Sequence, residues 1–168
     1  MVIGWARGGR TGALERTSLR ALPLLGAAVL LVLLARLPVL APDAARGVGA
    51  AAYLAALGFL WQNRAQPWML VVFLGLALNS LAMFLNGGRM PVSGEALARA
   101  GHLGNPGGHG GLGWRYVLAG PGTRMAPLGD TLPVRVGSAG VVVSPGDLLM
   151  ALGIAGFVQG RMRAAPPA

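Results

Sequence analysis

Two carboxylates, Asp130 and Asp147, are the side chains of this sequence best suited to chemistry. Held side by side, one carboxyl can give a proton while the other accepts one, which is general acid–base work. Each also has a simpler use. Asp147 stands three residues after Ser144 in Ser144-Pro145-Gly146-Asp147, the spacing that closes a helix N-terminus. Asp130 follows Gly129, as in a Gly-Asp turn. Arg124 could pair with either acid. His102 and His109 lie seven apart in a glycine-rich segment. A metal needs three or four rigidly held ligands, and here the nearest carboxylate is Glu95 and there is no cysteine. No metal, no cofactor and no catalytic residue is therefore expected. No nucleophile elbow, phosphate loop or zinc motif is present.

A second set of polar residues surrounds Asn86-Gly87-Gly88-Arg89-Met90-Pro91-Val92. Residues 68–85 before it carry no charge, and as a helix these 18 residues span roughly 27 Å, close to a bilayer's hydrocarbon thickness. Asn79 is the only amide in that run. Asn86 ends it, and Gly87 and Gly88 supply the turn. Arg89 is placed to reach headgroups or the last helix carbonyls. Pro91 blocks resumption of the helix and biases Met90 toward an extended conformation. Asn79 and Asn86 are two turns apart on one helix face, an arrangement suited to interhelical hydrogen bonding.

Composition sets the class of protein. Of 168 residues, 54% are hydrophobic and 11% charged, about half the charge of an ordinary soluble domain. Mean hydropathy is +0.61. The net charge of +9 comes entirely from arginine, since lysine is absent. The arginines flank apolar runs and form no basic stripe, so topology accounts for them and nucleic acid is not an expected partner.

The elements that must carry these residues follow in order. An arginine-rich leader, residues 1–20, precedes an apolar run at 21–34 that continues past Arg36 to Leu40 and reads as a first transmembrane helix. The rival, a signal peptide cut near Ala41-Pro42-Asp43-Ala44, has a poor small-residue site. Pro38, Pro42 and Asp43 break the first helix. Residues 44–61 form a second, rich in Ala and Gly and suited to close packing. Trp61, Asn63, Arg64 and Trp68 make an interfacial turn, and residues 68–85 make the third helix. Residues 86–143 form a loop with a short helix capped by Ser93, a glycine-rich tract at 101–113, and extended segments near Tyr116 and at 131–136. Residues 144–163 form the last helix, with Pro145 at its first position, and 164–168 a tail. Placing the leader, Arg64, Arg161 and Arg163 inside sets both termini in the cytoplasm and the long loop outside.

The ordered set of motifs resembles a known family. It comprises Arg7-Gly8-Gly9-Arg10, the Asn86–Val92 stretch, Tyr116-Val117-Leu118-Ala119, Thr123-Arg124, Leu128-Gly129-Asp130, Pro133, and Ser144-Pro145-Gly146-Asp147-Leu148-Leu149 with Ala151-Leu152-Gly153. These resemble bacterial multi-pass membrane proteins catalogued as domain of unknown function 5317, over most of the chain. The resemblance implies an integral membrane protein with no assigned activity. Members tend to carry a longer apolar stretch before the Arg-Gly-Gly segment, where only residues 1–6 stand here. The Gly/His tract at 101–113 also departs from the pattern.

The expectation is an all-α membrane protein with about four transmembrane helices and a long glycine-rich outer loop between the third and fourth. Its expected role is a non-enzymatic scaffold or accessory subunit in the bacterial cytoplasmic membrane, with the bilayer and a membrane protein or second copy as partners. The alternative is a small transporter or lipid-handling enzyme. The candidate outer-face cluster is Asn86, Gly87, Gly88, Arg89, Pro91, Arg124, Gly129, Asp130, Ser144 and Asp147, with Asn79 as the polar residue within the membrane. Asn86, Arg89, Arg124, Asp130 and Asp147 are expected to form one polar network pinning the loop to the helix ends.

Overall fold

The computed structural model describes residues 18–101, 115–137 and 139–163, with the main chain alone at Val136 and Arg163. His102 and His109, the Arg7–Arg10 motif and most of the glycine-rich tract lie outside these residues. Four long helices are present among them: α1 (Leu22–Leu34), α2 (Pro42–Gln62), α3 (Met69–Leu85) and, last in the chain, α5 (Pro145–Arg163). Between α3 and α5 come β1 (Met90–Val92), the short α4 (Gly94–Arg99), β2 (Tyr116–Leu118), a 3-10 turn (Ala126–Leu128), β3 (Leu132–Val136) and β4 (Ala139–Val143).

Two expectations about the helices need correction. The first helix stops at Leu34, and residues 35–40 turn instead of continuing to Leu40. Pro38 has no N–H to donate and disfavours helical geometry at Leu37, so the last turns cannot propagate. Pro42 and Asp43 start α2 where they were expected only to interrupt. Proline fits the first helical position, and Asp43 in the first turn meets the positive end of the helix dipole. Ser93 caps α4 as its spacing requires, its side chain accepting from Ala96 N at 3.2 Å.

By length and composition, α2 is the one described helix that passes as a membrane span. At about 1.5 Å per residue it reaches roughly 31 Å, against roughly 20 Å for α1, 25 Å for α3 and 28 Å for α5. α1 and α3 are apolar but shorter. The chain is mostly helical, not all-α, because the loop folds into two small sheets. β1 and β2 pair in parallel, with Met90 opposite Tyr116, and β3 and β4 pair antiparallel, with Leu132 opposite Val143.

Glycines decide how the helices meet. α3 and α5 run antiparallel in direct backbone contact: a β-carbon on Gly75 would lie 2.5 Å from Gly146 O, and one on Gly153 would lie 2.8 Å from Val72 N. Gly156 leaves room for the ring of Trp68. Small residues at successive turns are what allow two helices to approach this closely. The main buried cluster, Phe59, Leu60, Met69 and Val72, sits where α2 and α3 join. By contrast, the long helices turn large apolar side chains outward, including Leu30 (57% exposed), Leu54 (70%), Phe84 (81%) and Leu152 (55%).

Candidate functional site

The end of the bundle that carries the loop holds almost every polar residue singled out in the sequence. Its deepest member is Asn79, buried in the middle of α3. An unpartnered amide there would cost a few kcal/mol, roughly the penalty of losing its hydrogen bonds to water. Both its functions are met by the first turn of α5. Asn79 Nδ2 donates to Asp147 Oδ1 at 2.8 Å, and Asn79 Oδ1 accepts from the fully buried Ser144 hydroxyl at 2.7 Å. Ser144 and Asp147 also close a reciprocal capping box. The Asp147 amide donates to Ser144 Oγ, and the Ser144 amide donates to Asp147 Oδ2, both at 3.0 Å. Gly146 is essential to this meeting, since a β-carbon there would overlap Asn79 Oδ1.

Asn86 does a different job. Its amide nitrogen donates to Ala82 O at 2.7 Å and to Arg124 O at 2.8 Å, while its carbonyl oxygen accepts from Arg124 N at 3.0 Å. The side chain thus imitates a strand partner for one loop residue 38 positions away. Gly87 and Gly88 follow with positive φ, 67° and 76°, and make the turn into β1. Asn63 repeats the same device at the opposite end of the bundle. It bonds Arg20 N at 2.8 Å and Arg20 O at 2.9 Å, and it donates to Phe59 O at 2.8 Å. Spacing alone gave Asn63 only a place in an interfacial turn.

β1 is the floor of the loop. β2 lies on one side of it. On the other side Asp130 forms a single parallel bridge with Val92, so it does not lie in a simple Gly-Asp turn. The Asp130 amide donates to Pro91 O at 2.8 Å, and its carbonyl accepts from Ser93 N at 2.9 Å. Pro91, fully buried, is tolerated because its ring nitrogen replaces no donor that this ladder uses. Gly129 is needed because a β-carbon there would overlap Pro91 O.

The single network expected of Asn86, Arg89, Arg124, Asp130 and Asp147 divides into separate parts. Asn86 holds the backbone of Arg124, not its guanidinium. Arg89 is exposed and makes no side-chain hydrogen bond or ion pair among the described residues. Asp130 and Asp147 instead face a polar chamber of about 110 Å³ together with Asn79, Tyr53, Arg115 and Tyr116. The sequence marked Tyr116 only as part of an extended segment and a motif, and did not bring it, Tyr53 or Arg115 to Asp130, because they arrive from α2, the segment before β2 and β2 itself. Asp130 is 8% exposed. Burial, and then the charge of Asp147, push its carboxyl up to about 7, with Arg115 opposing them. Burial likewise raises Tyr116 above its usual value, and Arg115 partly offsets this. Among the described residues, no group of three or more His, Cys, Asp or Glu is placed to hold a metal ion.

At about 110 Å³ the chamber is smaller than the range of about 300–1,000 Å³ usual for ligand sites. A family model described as "Family of unknown function (DUF5317)" matches residues 14–159. No curated protein and no solved structure matches the chain.

Proposed function

This chain belongs to the DUF5317 family, and we propose that it is a multi-pass membrane protein acting as a non-enzymatic scaffold or accessory subunit. In this reading α1, α2, α3 and α5 lie in the bacterial cytoplasmic membrane, the folded loop lies on the outer face, and both termini are cytoplasmic. The observation that carries it is the outward-facing apolar surface of all four long helices, including Leu30, Leu54, Phe84 and Leu152. A soluble monomer rarely leaves so much apolar surface in contact with water. The polar residues support the non-enzymatic part. Asn79, Ser144 and Asp147 spend their hydrogen bonds on one another, and Asn86 spends its own on the loop backbone. These contacts fix a surface and leave little free to react. The partner it would present that surface to is another membrane protein or a second copy of the chain.

Carbonate washing of membranes, followed by cross-linked recovery of the full chain and mass spectrometry, tests both parts. Retention in the membrane with a stoichiometric protein companion supports the proposal. Release by carbonate overturns the membrane placement, and recovery of a solitary protein overturns the accessory role. One observation favours the alternative of a transporter or lipid-handling enzyme, namely a carboxyl titrating near neutrality beside a second carboxyl. An Asp130→Asn variant that folds but loses a cellular phenotype would favour that alternative.

A further inference from the structure

Apart from the polar chamber, the described residues enclose a cleft of about 740 Å³ between α1, α2 and α3, within the usual range for ligand sites of about 300–1,000 Å³. Its walls are apolar, with half-buried Val32, Leu57 and Ala77 and, at its open side, the exposed Leu54, Leu81 and Phe84. Its polar end lies where α1 stops, α2 begins and α3 turns into β1. Arg36, Arg46, Gly87, Gly88 and Arg115 gather there, and no carboxylate lines the cleft. The stem of Arg46 lies over Gly88, where a β-carbon would come within 3.3 Å of Arg46 Cδ. Arg36 is exposed and forms no ion pair among the described residues.

We propose that this cleft binds an anionic membrane lipid, with the acyl chain along the apolar wall and the headgroup phosphate at Arg36, beside Arg46, whose guanidinium also bonds Asp43. The proposal rests on the membrane placement argued above. Charge complementarity selects this occupant over a segment of this chain. Residues 1–17 carry Arg7, Arg10 and Arg16 against the single acid Glu15, and residues 102–114 and 164–168 carry no acid. A second copy has little to offer. Its Asp43 and Glu95 already pair with Arg46 and Arg99, Asp130 is buried, and Asp147 closes the capping box. An apolar cleft that ends in arginines therefore calls for a ligand that is greasy along its length and negative at one end. The bilayer supplies such molecules at high local concentration.

Native mass spectrometry of the full chain, released from bilayers of phosphatidylglycerol mixed with phosphatidylcholine, reads the occupant directly. The wild type should retain one phosphatidylglycerol in preference to phosphatidylcholine. Arg36→Gln should reduce that preference by about fivefold, as expected for about 1 kcal/mol of headgroup attraction per arginine, and Arg46→Gln by less, because Asp43 already offsets part of its charge. Ala50→Trp, which places a ring in the cleft wall, should reduce retention of both lipids. Arg89→Gln, an exposed arginine at the same end but outside the cleft, should change nothing. Arg36 forms no ion pair among the described residues, so its variant reports on binding even if Ala50→Trp fails to fold. Equal retention of the two lipids by the wild type overturns the proposal, as does an Arg89→Gln effect equal to that of Arg36→Gln. If carbonate releases the chain from membranes, the membrane placement has failed. If the chain stays integral without phosphatidylglycerol preference, only the lipid site has failed.

Discussion

Ionising Asp130 should weaken the fold, and the effect can be sized from its surroundings. Its backbone is tied on both sides, by Pro91 O and Ser93 N, so the residue stays at the chamber wall it shares with Asp147 unless the edge of β1 opens. A carboxyl whose titration moves from 3.8 to about 7 binds its proton about 4 kcal/mol more tightly when folded. Water in the chamber relaxes around the charge, so the measured change should be smaller, about 1–2 kcal/mol. The sign follows from the raised value. The folded chain holds this proton where the unfolded chain has lost it, so the stabilisation is full below pH 3.8 and is lost as pH rises through about 7. Thermal melts of the detergent-solubilised protein, followed by helical circular dichroism, should therefore fall by several degrees between about pH 5 and about pH 8.5. Asp130→Asn keeps the shape and removes the charge, so its melting temperature should stay level over that range and exceed the wild type's at the alkaline end. A wild-type profile that is flat or rises with pH would refute the reasoning, as would the same slope in Asp130→Asn.

Further outcomes follow from the same contacts. Asn86→Ala should cost about 1–2 kcal/mol by leaving the Arg124 amide and carbonyl without their partner, and hydrogen exchange at Arg124 should accelerate while Asn79 remains protected. Gly146→Ala should abolish folded protein or cost more than about 3 kcal/mol, because the new methyl meets Asn79 and the backbone of Gly75. Gly47→Ala on α2, with open space at the same position, should be neutral or stabilise by about 0.5–1 kcal/mol, and guanidine or thermal melts of the two variants compare them directly. The chain has no cysteine, so Arg89→Cys and Arg64→Cys each carry a single thiol. A membrane-impermeant maleimide added to intact cells should label the first and spare the second, and the reverse pattern would invert the proposed orientation.

What the sequence made readable was local. Ser144 and Asp147 declare a capping box by their spacing, and the structure builds that box. Asn79, the one amide in an apolar helix, had to find a partner, and α5 provides two. The Asn86-Gly87-Gly88 turn follows from residue type alone. What stayed hidden depends on closing long loops. Tyr53, Arg115 and Tyr116 share the Asp130 chamber only because three distant segments converge there. Arg124 was visible as a charge, yet its contribution is its main chain, and no side-chain chemistry signals that. The cleft was equally invisible, since composition reports apolar helices but not the gap left where they diverge.

The two asparagine clamps connect these points. Asn63 and Asn86 each follow a helix end, bond the carbonyl four residues back, and grip the N–H and C=O of one distant residue. The helix therefore orients the amide, and the amide positions the chain that crosses it. A clamp of this kind recognises backbone and not side-chain identity, so it tolerates almost any residue at Arg20 or Arg124 except proline, which lacks the donor. The asparagine itself is far less replaceable. Aspartate has no N–H to offer the two carbonyls, and glutamine is one methylene too long for the helix-end geometry. Arg124→Ala should therefore leave the loop seated, while Asn86→Asp should release it, although the second change alters fewer atoms. If proteolysis of the loop follows the arginine instead, the guanidinium holds the loop and the backbone-clamp account fails.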